Sequence, residues 1–133
     1  MMSADFRIRT REGEYDIEAH VRRIGSDLLV AVWGGERPHI GAVSIAQPRP
    51  SLRDSSLISS TASLLCLVGH KEGELAKALA EKLAATLNTN VVVTAGIHWD
   101  DLNPAGIRKI VKNAEILQEM ILAELSTGDY SGG

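Results

Sequence analysis

Apolar and polar residues alternate along the first part of the chain with the period of a β-strand. Over residues 5–11 and 15–24 the apolar positions include Phe6, Ile8 and Ile17, with charged residues between them. Such alternation is typical of strands with one buried and one solvated face. The two segments therefore predict an antiparallel hairpin. We expect its charged face to be a solvated ladder of cross-strand ion pairs.

Continuous apolar runs then replace the alternation. Residues 28–33 are apolar throughout, which predicts a central strand covered on both faces. A glycine-rich break precedes residues 39–46, which predict a further strand with many small side chains. Residues 47–60 contain two prolines and five serines and predict a long irregular loop. Loops of this length inside compact domains are often functional.

The second half of the chain predicts alternating strands and helices. The expected elements are a strand over residues 61–68, a helix over 71–87, a strand over 90–95 and a helix over 104–125. We expect the two strands to run parallel, joined by a right-handed crossover. The last helix has Asn103 as its N-cap and Pro104 at its first position. Residues 126–133 are expected to be a flexible tail.

Together these elements predict an α/β (α+β) fold in one domain over residues 1–133. N-terminal antiparallel hairpins continue into a mixed sheet that contains a βαβ unit, and there are two main helices, the second of them C-terminal. A chain of 133 residues with 44% hydrophobic and 23% charged residues is suited to one core.

Charge and hydropathy exclude several functional classes. A net charge of -3 argues against a general nucleic-acid binder, which needs a basic excess. The longest apolar stretches are too short to cross a membrane, and the N-terminus does not resemble a signal peptide. The single cysteine, Cys66, lies in an apolar run and is expected to be buried and inert. These features predict a cytoplasmic protein with no membrane or nucleic-acid partner.

Three glycine-containing junctions carry a histidine, namely His39, His70 and His98. Two of these junctions follow the strands of the βαβ unit, at the strand ends where open α/β sheets bind ligands. We therefore expect the junctions to gather at one edge of the sheet and to form a pocket.

The junction at residues 69–71 also opens a helix, whose first N–H groups lack internal partners and suit a phosphate. Lys71, Arg49 and Arg53 are expected to add positive charge to the same site. Trp99 is a candidate for stacking on a planar ring. Hydroxyl donors are available from Ser44, Ser59, Ser60, Thr61 and Thr94.

Two other interpretations remain open from the residues alone. His39, His70 and His98, with Asp100 or Asp101, are possible ligands of a metal ion in a small metal-dependent hydrolase. The chain lacks the usual metal-binding histidine spacings, and it has no serine nucleophile motif, phosphate loop or dinucleotide fingerprint. The second alternative is a purely structural accessory subunit of a partner enzyme.

Four blocks, at residues 38–44, 48–51, 69–71 and 94–98, resemble the LpdD-like family of prenylated-flavin chaperones, in order and across nearly the whole chain. The resemblance implies a small protein that binds prenylated FMN, or FMN itself. A separate flavin prenyltransferase makes this cofactor. The chaperone then assists maturation of a UbiD-type decarboxylase of the gallate kind and is not itself an enzyme.

The resemblance implies cofactor-binding residues at the positions within the matching blocks, namely His39, Ser44, Arg49, His70, Lys71, Gly96 and His98. The physical argument adds Arg53, Ser60, Thr94 and Trp99. No catalytic residue and no metal ligand is assigned. We also expect a homodimer, because an edge hairpin and the exposed part of a small sheet are readily shared between two copies.

Overall fold

The computed structural model describes residues 5–67 and 72–126. The elements in chain order are β1 (Asp5–Arg9), β2 (Ile17–Ile24), β3 (Asp27–Gly35), β4 (Ala42–Pro50), β5 (Ile58–Cys66), α1 (Glu72–Leu87), β6 (Val91–His98) and α2 (Pro104–Leu125). The predicted hairpin, central strand and two helices are all present. The last helix has the predicted bounds.

The six strands form one mixed sheet in the order β1-β2-β3-β6-β4-β5. Strands β1, β2 and β3 pair in antiparallel fashion, and β6 inserts parallel to β3 and antiparallel to β4. Because β4 is antiparallel to both β5 and β6, the two strands joined by α1 run in the same direction, as predicted. They are not neighbours, however, since β4 lies between them.

Both helices pack on the same face of the sheet. Helix α1 covers β4, β5 and β6, and α2 covers β1 and β2. The apolar stripe of α1 is buried, with Leu79 and Leu83 between small alanines that let the helix lie close to the strands. The core consists of this stripe, the facing side chains of the strands and Leu117 and Ile121 of α2. The opposite sheet face has no covering element among the described residues.

The predicted long loop over residues 47–60 is wrong in its extent. Strand β4 continues to Pro50 and pairs residue by residue with β5, so that only residues 51–57 connect the two strands. The prolines are tolerated because β4 pairs with β6 only as far as Ala46. Beyond that point β4 has a neighbour on one side only, where a proline need not supply a second ladder hydrogen bond.

Cys66 is exposed, which corrects the prediction of a buried thiol. It lies at the end of β5, the edge strand of the sheet, and an apolar run at an edge is not covered on both sides. Its Sγ faces the first turn of α1, where a Cβ on Gly73 would lie 2.5 Å from the sulfur. Gly73 therefore allows α1 to begin close against β5.

Candidate functional site

The end of β6 and the segment before β4 meet at one edge of the sheet. The amide of Gly41 donates to the carbonyl of Ala95 at 2.8 Å, which continues the β4–β6 pairing past the start of β4. The backbone of His39 then crosses directly over Gly96, where a Cβ would lie 1.4 Å from the His39 carbonyl oxygen. Only glycine permits this approach, so Gly96 determines where His39 lies.

His39 faces a buried carboxylate. Its Nε2 lies 3.2 Å from Oε2 of Glu72, the first residue of α1, and its Nδ1 lies 2.9 Å from the carbonyl oxygen of Arg37. Glu72 is only 9% exposed, and a Cβ on Gly41 would lie 2.0 Å from the same Oε2. Within the described residues no donor is aligned for a hydrogen bond to this oxygen. This oxygen is shielded from solvent, so Glu72 serves to hold the His39 ring at this edge of the sheet.

His98, Trp99 and Asp100 follow at the end of β6. The His98 Nε2 lies 2.9 Å from Oδ1 of Asp100, and this hydrogen bond is the main cause that lowers the pKa of Asp100. Trp99 packs edge-on against Tyr15, with ring centroids 5.2 Å apart and planes at 80°. The Asp100 carboxylate therefore stays ionised and holds His98, while Tyr15 fixes the indole ring.

A cavity of about 780 Å³ opens beside these residues, between the two helices and the end of β6. Its volume is within the range of sites for small organic ligands and cofactors. Most of its surface is apolar. The lining comes from the first turns of α1, residues 97–99 and 102, and α2 as far as residue 118. It includes Leu75, Leu79, Ile97, Trp99, Ile110, Ala114 and Leu117.

The structure brings together four of the predicted site residues, His39, Gly96, His98 and Trp99. His98 and Trp99 line the cavity directly, and His39 reaches it through Glu72. The expectation of a shared edge is met for these residues.

Arg49, Arg53 and Ser60 lie at the opposite end of the sheet, which corrects the expectation that they join the histidines. Strand β4 runs away from the cavity, and seven residues at about 3.3 Å each put Arg49 roughly 23 Å from Ala42. Arg49 is engaged locally, since its Nε donates to Oγ1 of Thr61 at 2.6 Å. Arg53 is part of the connection between β4 and β5.

The predicted hydroxyl donors are also used elsewhere. Ser44 is fully buried and donates to the Ser63 carbonyl at 3.0 Å, while Ser60 donates to the Glu81 carbonyl at 2.8 Å and ties β5 to α1. Thr94 is half-buried and pairs with Val43 on the sheet face away from the helices. These three positions therefore do not line the cavity.

His70 and Lys71 lie outside the described residues. The residues on either side of them are at the same edge as His39, because the Leu67 amide donates to the Gly41 carbonyl at 2.8 Å and Glu72 touches Gly41. The predicted phosphate contacts at this helix start therefore stay a prediction.

The metal interpretation gains no support from the described part of the chain, where no group of three or more histidine, cysteine, aspartate or glutamate side chains is placed to hold an ion. His39 and His98 pair with separate carboxylates instead.

Sequence reasoning missed Glu72 and Tyr15. Neither lies in a recognisable motif, and the only signal for Glu72 is its place directly after Lys71 at a helix start.

No helix among the described residues is long and apolar enough to span a bilayer.

Comparisons with known proteins agree with this fold. The chain is similar to one chain of a chaperone complex for yeast 20S proteasome assembly, with a TM-score of 0.52, 14% sequence identity, and coverage of 94% of this chain and 96% of that one. Because the identity is so low, this likeness concerns the fold alone.

Sequence similarity is more specific. The chain is 28% identical to Protein LpdD of Lactiplantibacillus plantarum over 118 residues, which is 87% of this chain and 82% of that protein. Residues 11–126 match the prenylated flavin chaperone LpdD-like domain. This is a family of chaperones, in agreement with the prediction that the chain is not an enzyme. The chain belongs to the LpdD-like family of prenylated flavin chaperones.

Proposed function

We propose that this chain binds prenylated FMN and delivers it to a UbiD-type decarboxylase in the cytoplasm, without catalysing a reaction itself. The chaperone family supports the class of function. The observation that carries the proposal is the apolar cavity of about 780 Å³ at the carboxyl end of β6.

The cavity suits a modified flavin ring. Its helix-derived walls are apolar and would bury a prenylated ring system, and Trp99, held by Tyr15, offers an aromatic surface. Once bound to the decarboxylase, the flavin would supply the chemistry of decarboxylation. This chain contributes only binding and exclusion of water.

The phosphate belongs at the start of α1. The charged side chains that line the cavity among the described residues include Glu72, Glu74 and Glu115, which would repel a phosphate. His70 and Lys71 directly precede Glu72 in the chain and are cationic or able to become so. We therefore assign the phosphate to these two residues, in place of Arg49 and Arg53.

The proposal is tested by producing the protein together with a flavin prenyltransferase under anaerobic conditions. After desalting, the retained ligand is identified by mass and absorbance. Ala114→Trp, which places a large ring inside the cavity, should abolish retention. Glu119→Trp, on the exposed side of the same helix, should retain the flavin as the parent protein does. A parent protein that carries no flavin under these conditions would refute the proposal.

Delivery is tested with a decarboxylase that lacks its cofactor. The loaded chain should restore decarboxylation, and the Ala114→Trp variant should not. If the parent protein and the Ala114→Trp variant both bind the decarboxylase and raise its activity equally, the chain acts as a structural accessory subunit and not as a carrier.

A further inference from the structure

Strands β4 and β5 extend beyond the rest of the sheet. Strand β4 pairs with β6 only as far as Ala46, whereas its pairing with β5 continues to Pro50 and Ile58. The last residues of this pair therefore have no third strand beside them, and residues 51–57 connect them. We call residues 49–58 the hairpin tip. The tip lies at the end of the sheet that is opposite the ligand cavity.

Large apolar side chains at the hairpin tip are exposed to solvent. Leu52 is 91% exposed, Leu57 59% and Ile58 46%. Leu52 is the most exposed large apolar side chain of the described residues, so it adds almost nothing to the stability of this fold. Because three such side chains belong to one short connection, they form an exposed apolar group of the kind that marks interaction sites.

Hydrogen bonds within the turn fix the shape of the hairpin tip. The Ser51 amide donates to the Leu57 carbonyl at 2.8 Å, and the Leu57 amide donates to the Asp54 carbonyl at 3.0 Å. The Asp54 carboxylate accepts from the hydroxyl and the amide of Ser56, at 2.6 and 3.0 Å, and these bonds lower the pKa of Asp54. A turn that is already ordered loses little conformational entropy on binding, so this turn is suited to recognition.

The charge of the hairpin tip differs from that of the whole chain. The tip contains two arginines, Arg49 and Arg53, and one aspartate, in a chain with a net charge of -3. Neither arginine forms an ion pair with a carboxylate of the described residues. Both positive charges are therefore available to the carboxylates of a partner. Arginine beside exposed apolar side chains is also the composition that protein interfaces favour.

We propose that the hairpin tip docks on the decarboxylase, at a surface where acidic side chains surround an apolar depression. This inference rests on the proposed function, because it names the part of the chain that holds the recipient of the flavin. Leu52 fills the depression, and Arg49 and Arg53 pair with the acidic side chains around it. Docking at this end of the sheet leaves the cavity open and keeps the loaded chain close to its recipient.

The test measures binding of the full chain, without flavin, to a decarboxylase that lacks its cofactor, by isothermal titration calorimetry. Leu52→Ala and Arg53→Glu should each raise the dissociation constant about tenfold or more, because one removes the apolar anchor and the other reverses a charge beside it. Added salt should weaken binding of the parent protein more than binding of Arg53→Glu. Circular dichroism confirms that both variants are folded, as expected for changes at exposed positions.

Two matched controls carry similar changes elsewhere. Ile24→Ala alters a side chain that is 57% exposed at the same end of the sheet but on β2. Lys112→Glu reverses an exposed charge on α2. Both controls should bind the decarboxylase as the parent protein does. Tip variants that bind like the parent, or controls that weaken binding as much as the tip variants do, would overturn the proposal.

Flavin retention separates this inference from the proposed function. Both tip variants should retain flavin like the parent protein, because the tip lies away from the cavity. A chain that retains no flavin but binds the decarboxylase through the tip would refute the carrier role and support the docking site. A chain that retains flavin without binding the decarboxylase would overturn the docking site. Loss of self-association in Arg53→Glu, with binding to the decarboxylase unchanged, would assign the tip to a second copy and overturn it as well.

Discussion

Single residues decide how closely backbone segments approach each other at the proposed site. Gly96 has the backbone of His39 directly above it, and Gly41 leaves room for the Glu72 carboxylate. A side chain at either position would displace the segment that carries His39. The two glycines are therefore required because a Cβ atom would collide with a neighbouring segment, not because of an unusual backbone angle.

Gly96→Ala should destabilise the fold by about 1–3 kcal/mol, because the added methyl group forces the His39 segment away from the sheet. It should also reduce flavin retention. Urea unfolding measures the first effect and absorbance of the purified protein the second. Gly25→Ala is the comparison, since Gly25 has a φ of 61° but open space around it, and should cost only about 1 kcal/mol. Equal costs for the two variants would contradict the contact argument.

Asp16 is the residue whose ionisation supports the turn between β1 and β2. Its carboxylate accepts a hydrogen bond from the Thr10 hydroxyl at 2.6 Å, the main cause that lowers its pKa, and others from the amides of Glu12 and Gly13. A lowered pKa in the folded state means that the stabilisation is complete above the ordinary carboxyl pKa. It is lost as the pH falls through the lowered value.

Asp16→Asn should therefore cost about 1 kcal/mol at neutral pH, a modest value because Asp16 is partly exposed. The difference from the parent protein should shrink as the pH is lowered through the acidic range where the carboxylate becomes protonated. Unfolding free energies measured at neutral and acidic pH test this. Glu12→Gln, in the same turn, controls for the loss of one charge. A difference that is independent of pH would show that ionisation of Asp16 does not matter.

Among the elements, α2 does more than cover the sheet. Asn113 is 3% exposed, and its amide nitrogen donates to the carbonyls of Glu14 and Tyr15 at 2.8 and 2.7 Å. Tyr15 has a φ of 53°, which is uncommon for a side chain of this size. The helix therefore holds the turn whose tyrosine packs against Trp99.

Asn113→Ala should lower the free energy of unfolding by about 1–3 kcal/mol, because two partly buried carbonyls lose their donor. It should also change the tryptophan fluorescence, since Tyr15 is released from its position against Trp99. Lys112→Ala, at the exposed neighbouring position, should change neither quantity. Unchanged fluorescence in a destabilised Asn113→Ala protein would mean that Tyr15 is held by other contacts.

On the scale of the whole molecule, the sheet has two chemically different ends. His39, Glu72, His98 and Trp99 are at one end beside the cavity, and Arg49 is near the other. The order of the strands causes this separation. Because β6 pairs antiparallel to β4, the end of β6 meets the beginning of β4 and not its arginine-bearing end.

Arg49→Ala and Arg53→Ala should consequently leave flavin retention unchanged, whereas Lys71→Ala should reduce it about tenfold or more through the loss of a charged phosphate contact. Retained flavin per chain, measured by absorbance after desalting, gives the comparison. The opposite ranking, with Arg49→Ala colourless and Lys71→Ala loaded, would move the phosphate to the far end of the sheet.

Local patterns predicted most of the elements correctly. The alternation in the first hairpin, the apolar central strand and the stripes on both helices each follow from the period of the chain within one segment. Prediction failed at residues 47–60, where the prolines and serines indicate a loop but β4 runs to Pro50 and β5 begins at Ile58. Whether a proline is tolerated depends on which strand lies beside it, and this is not a local property.

The sequence by itself determined the class of fold, the helices with their buried stripes, and the family through its ordered blocks. The tertiary structure alone decided that both helices share one face, that Cys66 is exposed, and that Glu72 faces His39 while Arg49 and Arg53 do not. The physical reason is that the hydrophobic periodicity of a segment indicates only which of its side chains are buried. Which strand inserts beside which is decided by how all six strands and both helices bury their apolar faces together, and that choice brings particular strand ends to the same edge.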